Sequence, residues 1–145
     1  MDVIFATGNA GKLVEIREIM SDFIKKHDIN LISLKDAGIA ADIVEDGKTF
    51  EENALIKART ISKYTDCMVL ADDSGLEVDY LDKAPGVYSA RYLGEDTSYT
   101  VKNNHILKEL EGVADSDRSA RFVCVIACVM PDGKEIVCRG TIEGQ

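Results

Sequence analysis

The run Val3-Ile4-Phe5-Ala6-Thr7-Gly8-Asn9-Ala10-Gly11-Lys12-Leu13 carries the first structural signal of the chain. Its four leading residues are continuously apolar, as in a short strand buried on both faces, and Thr7-Gly8-Asn9 breaks the run with a turn. Beyond the turn, Leu13, Ile16, Ile19, Met20, Phe23 and Ile24 recur at helical spacing while Lys12, Glu15, Arg17 and Glu18 fall on other faces, which predicts one amphipathic helix over 13 to 24. Asn9 stands at the N-cap position, so the backbone N–H groups of residues 10 to 12 are expected to point back at the loop.

The alternation of strand and helix continues outward from this unit and points to an α/β protein. Ile29 to Leu34 predicts a second strand, and 35 to 48 reads as loop. Thr49 followed by Glu52 is a capping box, opening a helix from about 50 to 64 with Ala54, Leu55, Ala58 and Ile61 on its apolar face and Asn53 and Lys57 together on a polar flank. Cys67 to Ala71 predicts a strand that ends at Asp72-Asp73-Ser74-Gly75, after which Leu76, Val78 and Tyr80 resume with period two. Pro85-Gly86 marks a turn, and Thr97 is placed to cap a helix carrying Val101, Ile106, Leu107 and Leu110. Arg121 to Met130 and Glu135 to Ile142 form a hairpin about Pro131-Asp132-Gly133-Lys134. The last strand runs almost to Gln145 with nothing after it to cover its sheet, so either a partner chain or further residues are expected there.

Residues 1 to 145 read as a single domain: the composition, 46% hydrophobic and 30% charged, is that of a globular protein, with no repeat or low-complexity tract. A formal charge of -9 excludes a duplex nucleic-acid binder, which needs a basic face. No segment approaches the roughly 20 apolar residues of a membrane span, and the start Met1-Asp2-Val3 has no basic leader, so a cytoplasmic protein is expected. The cysteines, Cys67, Cys124, Cys128 and Cys138, lie in apolar runs without C-x-x-C spacing and are expected as buried, reduced thiols, Cys124 and Cys128 on one face of a strand.

Two stretches carry chemistry. Thr7-Gly8-Asn9-Ala10-Gly11-Lys12 joins a strand to a helix N-terminus, where free amides and the helix dipole favour an anion and the glycines allow close approach. It is not a Walker A loop, since only two residues separate Gly8 from Gly11 and Leu13 replaces the hydroxyl residue; a plain strand-to-helix turn bearing a surface lysine remains an equal reading. Asp72 and Asp73 close an apolar strand, the position at which open α/β sheets bind ligands. Neighbours in extended chain point to opposite faces, so one carboxylate is free to face a ligand while the other supports the loop or a metal shell. Magnesium takes one or two protein carboxylates and fills its remaining positions with water and phosphate oxygens, and Glu45 is the natural second ligand. An isolated Asp-Asp-Ser-Gly string is more often only a turn.

Taken in order, Thr7-Gly8-Asn9-x-x-Lys12, Glu45-x-Gly47-x-Thr49-Phe50-x-x-Asn53-Ala54, Lys57-Ala58, Ala71-Asp72-Asp73-Ser74-Gly75-Leu76 and Pro85-Gly86-Val87-Tyr88-Ser89-Ala90-Arg91-Tyr92 resemble the inosine/xanthosine triphosphate pyrophosphatase family across residues 3 to 142. The resemblance implies an elongated α/β fold: a central mixed sheet flanked by helices, two lobes with a nucleotide cleft between them, and usually a homodimer. It implies hydrolysis of non-standard purine nucleoside triphosphates to the monophosphate and pyrophosphate, with magnesium as cofactor. By position, Thr7, Gly8, Asn9, Ala10, Gly11 and Lys12 resemble the triphosphate loop, Asp73 the general base and a magnesium ligand, and Glu45 the other ligand. Ser74 resembles a substrate contact and Lys57 a phosphate lysine, while Arg91 either reaches phosphate or orders its loop. His27 and His105 fall outside these motifs and read as structural or surface residues. The family pattern continues into Gly-Phe-Gly-Tyr-Asp-Pro and Ser-His-Arg segments that are implied to grip the base; neither occurs here, so the chain is expected to be incomplete at its C-terminus. A catalytically idle nucleotide-binding fragment and a pyrophosphatase for pyrimidine nucleotides stay open as other readings.

Overall fold

The apolar run at the N-terminus forms β1 (Asp2–Phe5) in the computed structural model, which describes residues 1–145. One edge of β1 pairs in parallel with β2 (Asn30–Ser33), Val3 opposite Leu31 and Ile4 opposite Ile32. The other edge pairs in parallel with β3 (Met68–Val78), Val3 opposite Met68 and Phe5 opposite Leu70. Flanked on both sides, Ile4 and Phe5 are 1% and 0% exposed, as a continuous apolar strand predicts. The full strand order is β2-β1-β3-β5-β6, with β5 (Ala120–Val129) and β6 (Glu135–Gly144) following β3 and the two-residue β4 (Ala84–Pro85) antiparallel to the far end of β3. The sheet is therefore mixed, and helices connect its strands: an α/β fold.

The chain forms two compact units, Met1–Asp73 with Val125–Cys138 and Ser74–Cys124 with Arg139–Gln145, and β3, β5 and β6 run through both. In the first unit, Val3, Phe5, Leu13 and Leu31 make a core joined by Ile16, Ile24, Ile29, Met68, Leu70 and Ile126. The second packs Val78, Ile106 and Leu110 with Leu76, Leu81, Tyr92, Val113 and Ala120. Each large side chain so buried contributes about 1.5–3 kcal/mol. No helix is long and apolar enough to cross a membrane.

Five expectations are corrected. The single helix over 13 to 24 is two, α1 (Ala10–Ile19) and α2 (Ser21–Lys26), parted at Met20; Ser21 and Asp22 favour a helix start, and apolar spacing does not register the break. The strand expected to stop at Asp72 continues unbroken to Val78: the Asp72 carboxylate is met by Lys12, and Glu77 and Val78 at the strand's end pair with β4. α4 (Tyr99–Glu109) is capped by Ser98, whose Oγ accepts the Val101 N–H, while the Thr97 hydroxyl donates to the Leu93 carbonyl. The cysteines are free but not buried: Cys124 and Cys138 are exposed, Cys67 and Cys128 half-buried. On β5 the residues Val123, Val125, Ala127 and Val129 face the core, leaving Phe122 and Cys124 on an uncovered face, and β6 is exposed throughout. Finally, Asn53 is no polar flank: it is 1% exposed on α3 (Phe50–Ser62).

Candidate active site

The order β2-β1-β3 sends one connection from β1 to β2 and brings the next back to its opposite side, so the carboxyl end of β1 is where ligands bind in open α/β sheets. Thr7 to Lys12 leave β1 there. The Thr7 hydroxyl accepts the Asn9 N–H at 3.1 Å, and Asn9 Oδ1 accepts the N–H groups of Gly11 and Lys12 at 2.9 and 3.3 Å. Two of the three amides expected to point freely into the loop are thus held by the cap itself. A Cβ on Gly11 would lie 3.1 Å from Asn9 Oδ1, whereas one on Gly8 would meet nothing within 4 Å, so the face in front of Gly8 is open. Lys12, in the first turn of α1, reaches Asp72 with Nζ 2.8 Å from Oδ2.

The last pairing of β1 with β3 is Phe5 with Leu70, reinforced by the Ala6 N–H on the Leu70 carbonyl at 2.7 Å. Asp72 and Asp73 lie just past it, within their own strand yet beyond the end of β1. Their side chains have different partners, as alternation requires. Asp72 meets Lys12, while Asp73 is surrounded by Lys57, Asn53 and Glu45.

Burial raises the Asp73 carboxyl from its ordinary range to about 6; Lys57 and a hydrogen bond from Asn53 oppose the rise, and the negative charges of Glu45 and Asp72 add to it. Its Oδ2 is buried without a hydrogen-bond partner. Glu45 pairs with Lys57, Oε1 to Nζ 3.0 Å, the lysine the more buried of the two. A half-buried carboxyl poised near neutrality, with an unsatisfied oxygen and a lysine at hand, is suited to proton transfer and to holding a hard cation. No cluster of three or more His, Cys, Asp or Glu side chains forms a protein-only metal cage.

Thr7, Gly8, Asn9, Ala10, Gly11, Lys12, Glu45, Lys57 and Asp73 all fall within the first unit. Ser74, half-buried on β3, opens the second, and Arg91 belongs there too, ending a 3-10 segment Gly86–Arg91 with its guanidinium 5.5 Å from the centre of the Tyr88 ring. That segment is fastened by other residues. The Ser89 hydroxyl accepts the Leu76 N–H at 2.9 Å and donates to the Gly86 carbonyl at 2.7 Å, and the buried Lys102 donates from Nζ to the Ala90 carbonyl at 2.6 Å. Lys102 carries no motif on α4 and was not foreseen, whereas Asn53 and Lys57, four apart, do come together at Asp73 as their spacing predicts, with Asn53 buried rather than on a polar flank.

The sequence pattern of the Ham1 family matches residues 3–145. The chain is 50% identical over 147 residues to the dITP/XTP pyrophosphatase of Clostridium perfringens, covering 97% of this chain and 70% of that protein. With the dITP/XTP pyrophosphatase of Bacillus licheniformis it shares 49% over 143 residues, 99% of this chain and 71% of the relative. Among solved structures, the Ham1 protein of Staphylococcus aureus superposes with a TM-score of 0.86 at 37% identity, and a HAM1 protein of Coxiella burnetii with 0.87 at 39%. Each covers all of this chain, which spans 71% and 72% of theirs. Matched in sequence from residue 3 onward and in fold over its whole length, the chain belongs to the Ham1 family.

Proposed function

We propose that this protein hydrolyses non-standard purine nucleoside triphosphates, of the deoxyinosine and xanthosine class, to the monophosphate and pyrophosphate. The substrate class follows the relatives named dITP/XTP pyrophosphatase. The observation that carries the chemistry is Asp73: raised to about 6, with a buried, unpartnered Oδ2, and flanked by Lys57 and Glu45.

The triphosphate would lie along Thr7 to Lys12, its charge met by the Lys12 ammonium and the amino end of α1. Asp73 in its ionised form takes the proton of a water whose oxygen bonds to the α-phosphorus as the bond from that phosphorus to the bridging oxygen breaks. Lys57, paired with Glu45, is placed to stabilise negative charge growing on the phosphates. Glu45 and Asp73 would hold a magnesium ion, which when bound supplies Lewis acidity at the phosphate oxygens.

The test is pyrophosphate release from inosine, xanthosine, adenosine and guanosine triphosphates with magnesium present. The first two are expected to turn over far faster, and Asp73→Asn to lose about 10²–10⁴-fold in kcat, the usual contribution of a general base. Equal rates on all four nucleotides, or an Asp73→Asn variant of full activity, would sink the proposal.

A further inference from the structure

Asn53 is the most buried polar side chain near the candidate site, and both ends of its amide are in use. Its Oδ1 accepts the Gly47 N–H at 2.8 Å, and the same side chain hydrogen-bonds the Asp73 carboxylate. Since Oδ1 faces Gly47, it is the NH₂ group that donates to Asp73. Gly47 is shaped for this contact: a Cβ there would lie 2.6 Å from Asn53 Oδ1 and 2.7 Å from Glu52 Cβ, closer than atoms pack.

The segment beside Gly47 is pinned to the same helix. The Lys48 N–H donates to Glu52 Oε2 at 2.6 Å, and the Thr49 hydroxyl caps α3 by accepting the Glu52 N–H at 3.1 Å. Glu45 lies two residues before Gly47, and its carboxylate meets Lys57, one turn beyond Asn53 on α3. Two residues four apart on one helix thus hold the loop at two levels, Asn53 by its backbone and Lys57 by its carboxylate. Asp73 receives both, on a separate strand.

We propose that Asn53 is a positioning residue: through one amide group it sets the direction of the Asp73 carboxylate and, through Gly47, the backbone from which Glu45 projects, so that the two carboxylates keep a fixed spacing. Only a side chain with a donor and an acceptor on one planar head does both. An aspartate there keeps the acceptor for Gly47 but turns a like charge on Asp73, and a leucine loses both ends. This inference rests on Asp73 and Glu45 being the reactive pair.

The experiment compares Asn53→Asp and Asn53→Leu variants of the full chain. It reads kcat and KM for inosine triphosphate across a magnesium series, together with amide hydrogen exchange at residue 47 in metal-free and nucleotide-free protein. Asn53→Asp is decisive because it conserves size and the Gly47 contact. Its kcat is expected to fall about 10–100-fold, the range for residues that orient metal ligands, with KM within about threefold and the residue 47 amide still protected. Asn53→Leu should lose kcat similarly and release that amide to exchange. Wild-type kcat in Asn53→Asp, or losses in kcat that merely track the fraction of folded protein, would overturn the proposal. An active Asp73→Asn variant would instead remove the site reading itself, whereas an inactive Asp73→Asn beside a fully active Asn53→Asp would leave that reading standing and this inference void.

Discussion

Asp73 follows Val69, Ala71 and Asp72, all buried, in its strand, and its own partial burial disfavours the charged carboxylate. Its carboxyl rises from 3.8 to about 6, with Lys57 and Asn53 limiting the rise. The consequence for stability has a definite sign. The folded protein holds the Asp73 proton more tightly than the unfolded chain, so the associated stability is fully present below pH 3.8 and is lost as pH rises through about 6. Asp73→Asn cannot ionise, so in magnesium-free buffer it should gain on the wild type across that window and level off above it. The gain is on the order of 1–2 kcal/mol once solvent screening of a half-buried group is allowed for. Urea unfolding of both proteins at stepped pH measures it, and a difference independent of pH would mean that Asp73 ionises as it does in water. Asp73 was legible as a candidate in the sequence, because acids at the end of an apolar run stand out, and Glu45 because a magnesium site calls for a second carboxylate and the family resemblance supplies one there. The shift itself was not legible, since it depends on Lys57, Asn53 and Glu45 arriving from other segments.

Helix starts are governed by single side chains, and three are seen here: Asn9 on α1, Thr49 on α3 and Ser98 on α4. The first two could be read directly, because each stands alone before an apolar periodic stretch. At α4 two hydroxyl residues are adjacent, and the choice was made by the preceding turn, where Thr97 donates to the Leu93 carbonyl at 2.6 Å. Ser98→Ala should therefore cost about 1 kcal/mol, the usual value of a lost cap. Thr97→Ala should cost less, because its hydroxyl satisfies no helix amide. Equilibrium unfolding of the two variants distinguishes them, and an equal or reversed order would mean that the cap is shared. The break at Met20 was invisible for a related reason: Leu13, Ile16, Met20 and Ile24 hold one face at helical spacing whether or not the backbone pauses between them.

At the scale of the whole molecule, ion pairs differ in worth with their burial. In the second unit Arg121 makes two hydrogen bonds to Asp79, at 2.9 and 2.8 Å, bonds Glu143, and faces Glu77, which Arg139 also contacts. The Glu77 side chain is 7% exposed. Removing Arg121 leaves the buried Glu77 carboxylate with Arg139 and strips Asp79 of its two hydrogen bonds, so Arg121→Leu should be clearly destabilising. In the first unit Arg59 and Glu135 form a more exposed pair, and Arg59→Leu should cost clearly less than Arg121→Leu. Urea unfolding of both variants checks the contrast, and comparable losses would show that burial does not set the value of these pairs.

What the sequence by itself determined are the features that arise between near neighbours: the buried strand of Val3 to Phe5, the Asn9 and Thr49 caps, the loop over 35 to 48, and the motifs Thr7 to Lys12 and Asp72 to Ser74. These rest on periodicity, capping and turn chemistry, which act over a few residues. Tertiary structure alone decided that Asp72 and Asp73 lie within a continuous strand just past the end of β1, that Asn53 is buried, and that Cys124 and Cys138 are exposed. Each of these turns on which segment covers which face. That is settled by packing between residues far apart in the chain, as when Gly47 closes on Asn53 or β1 stops short of β3, and no local pattern records it.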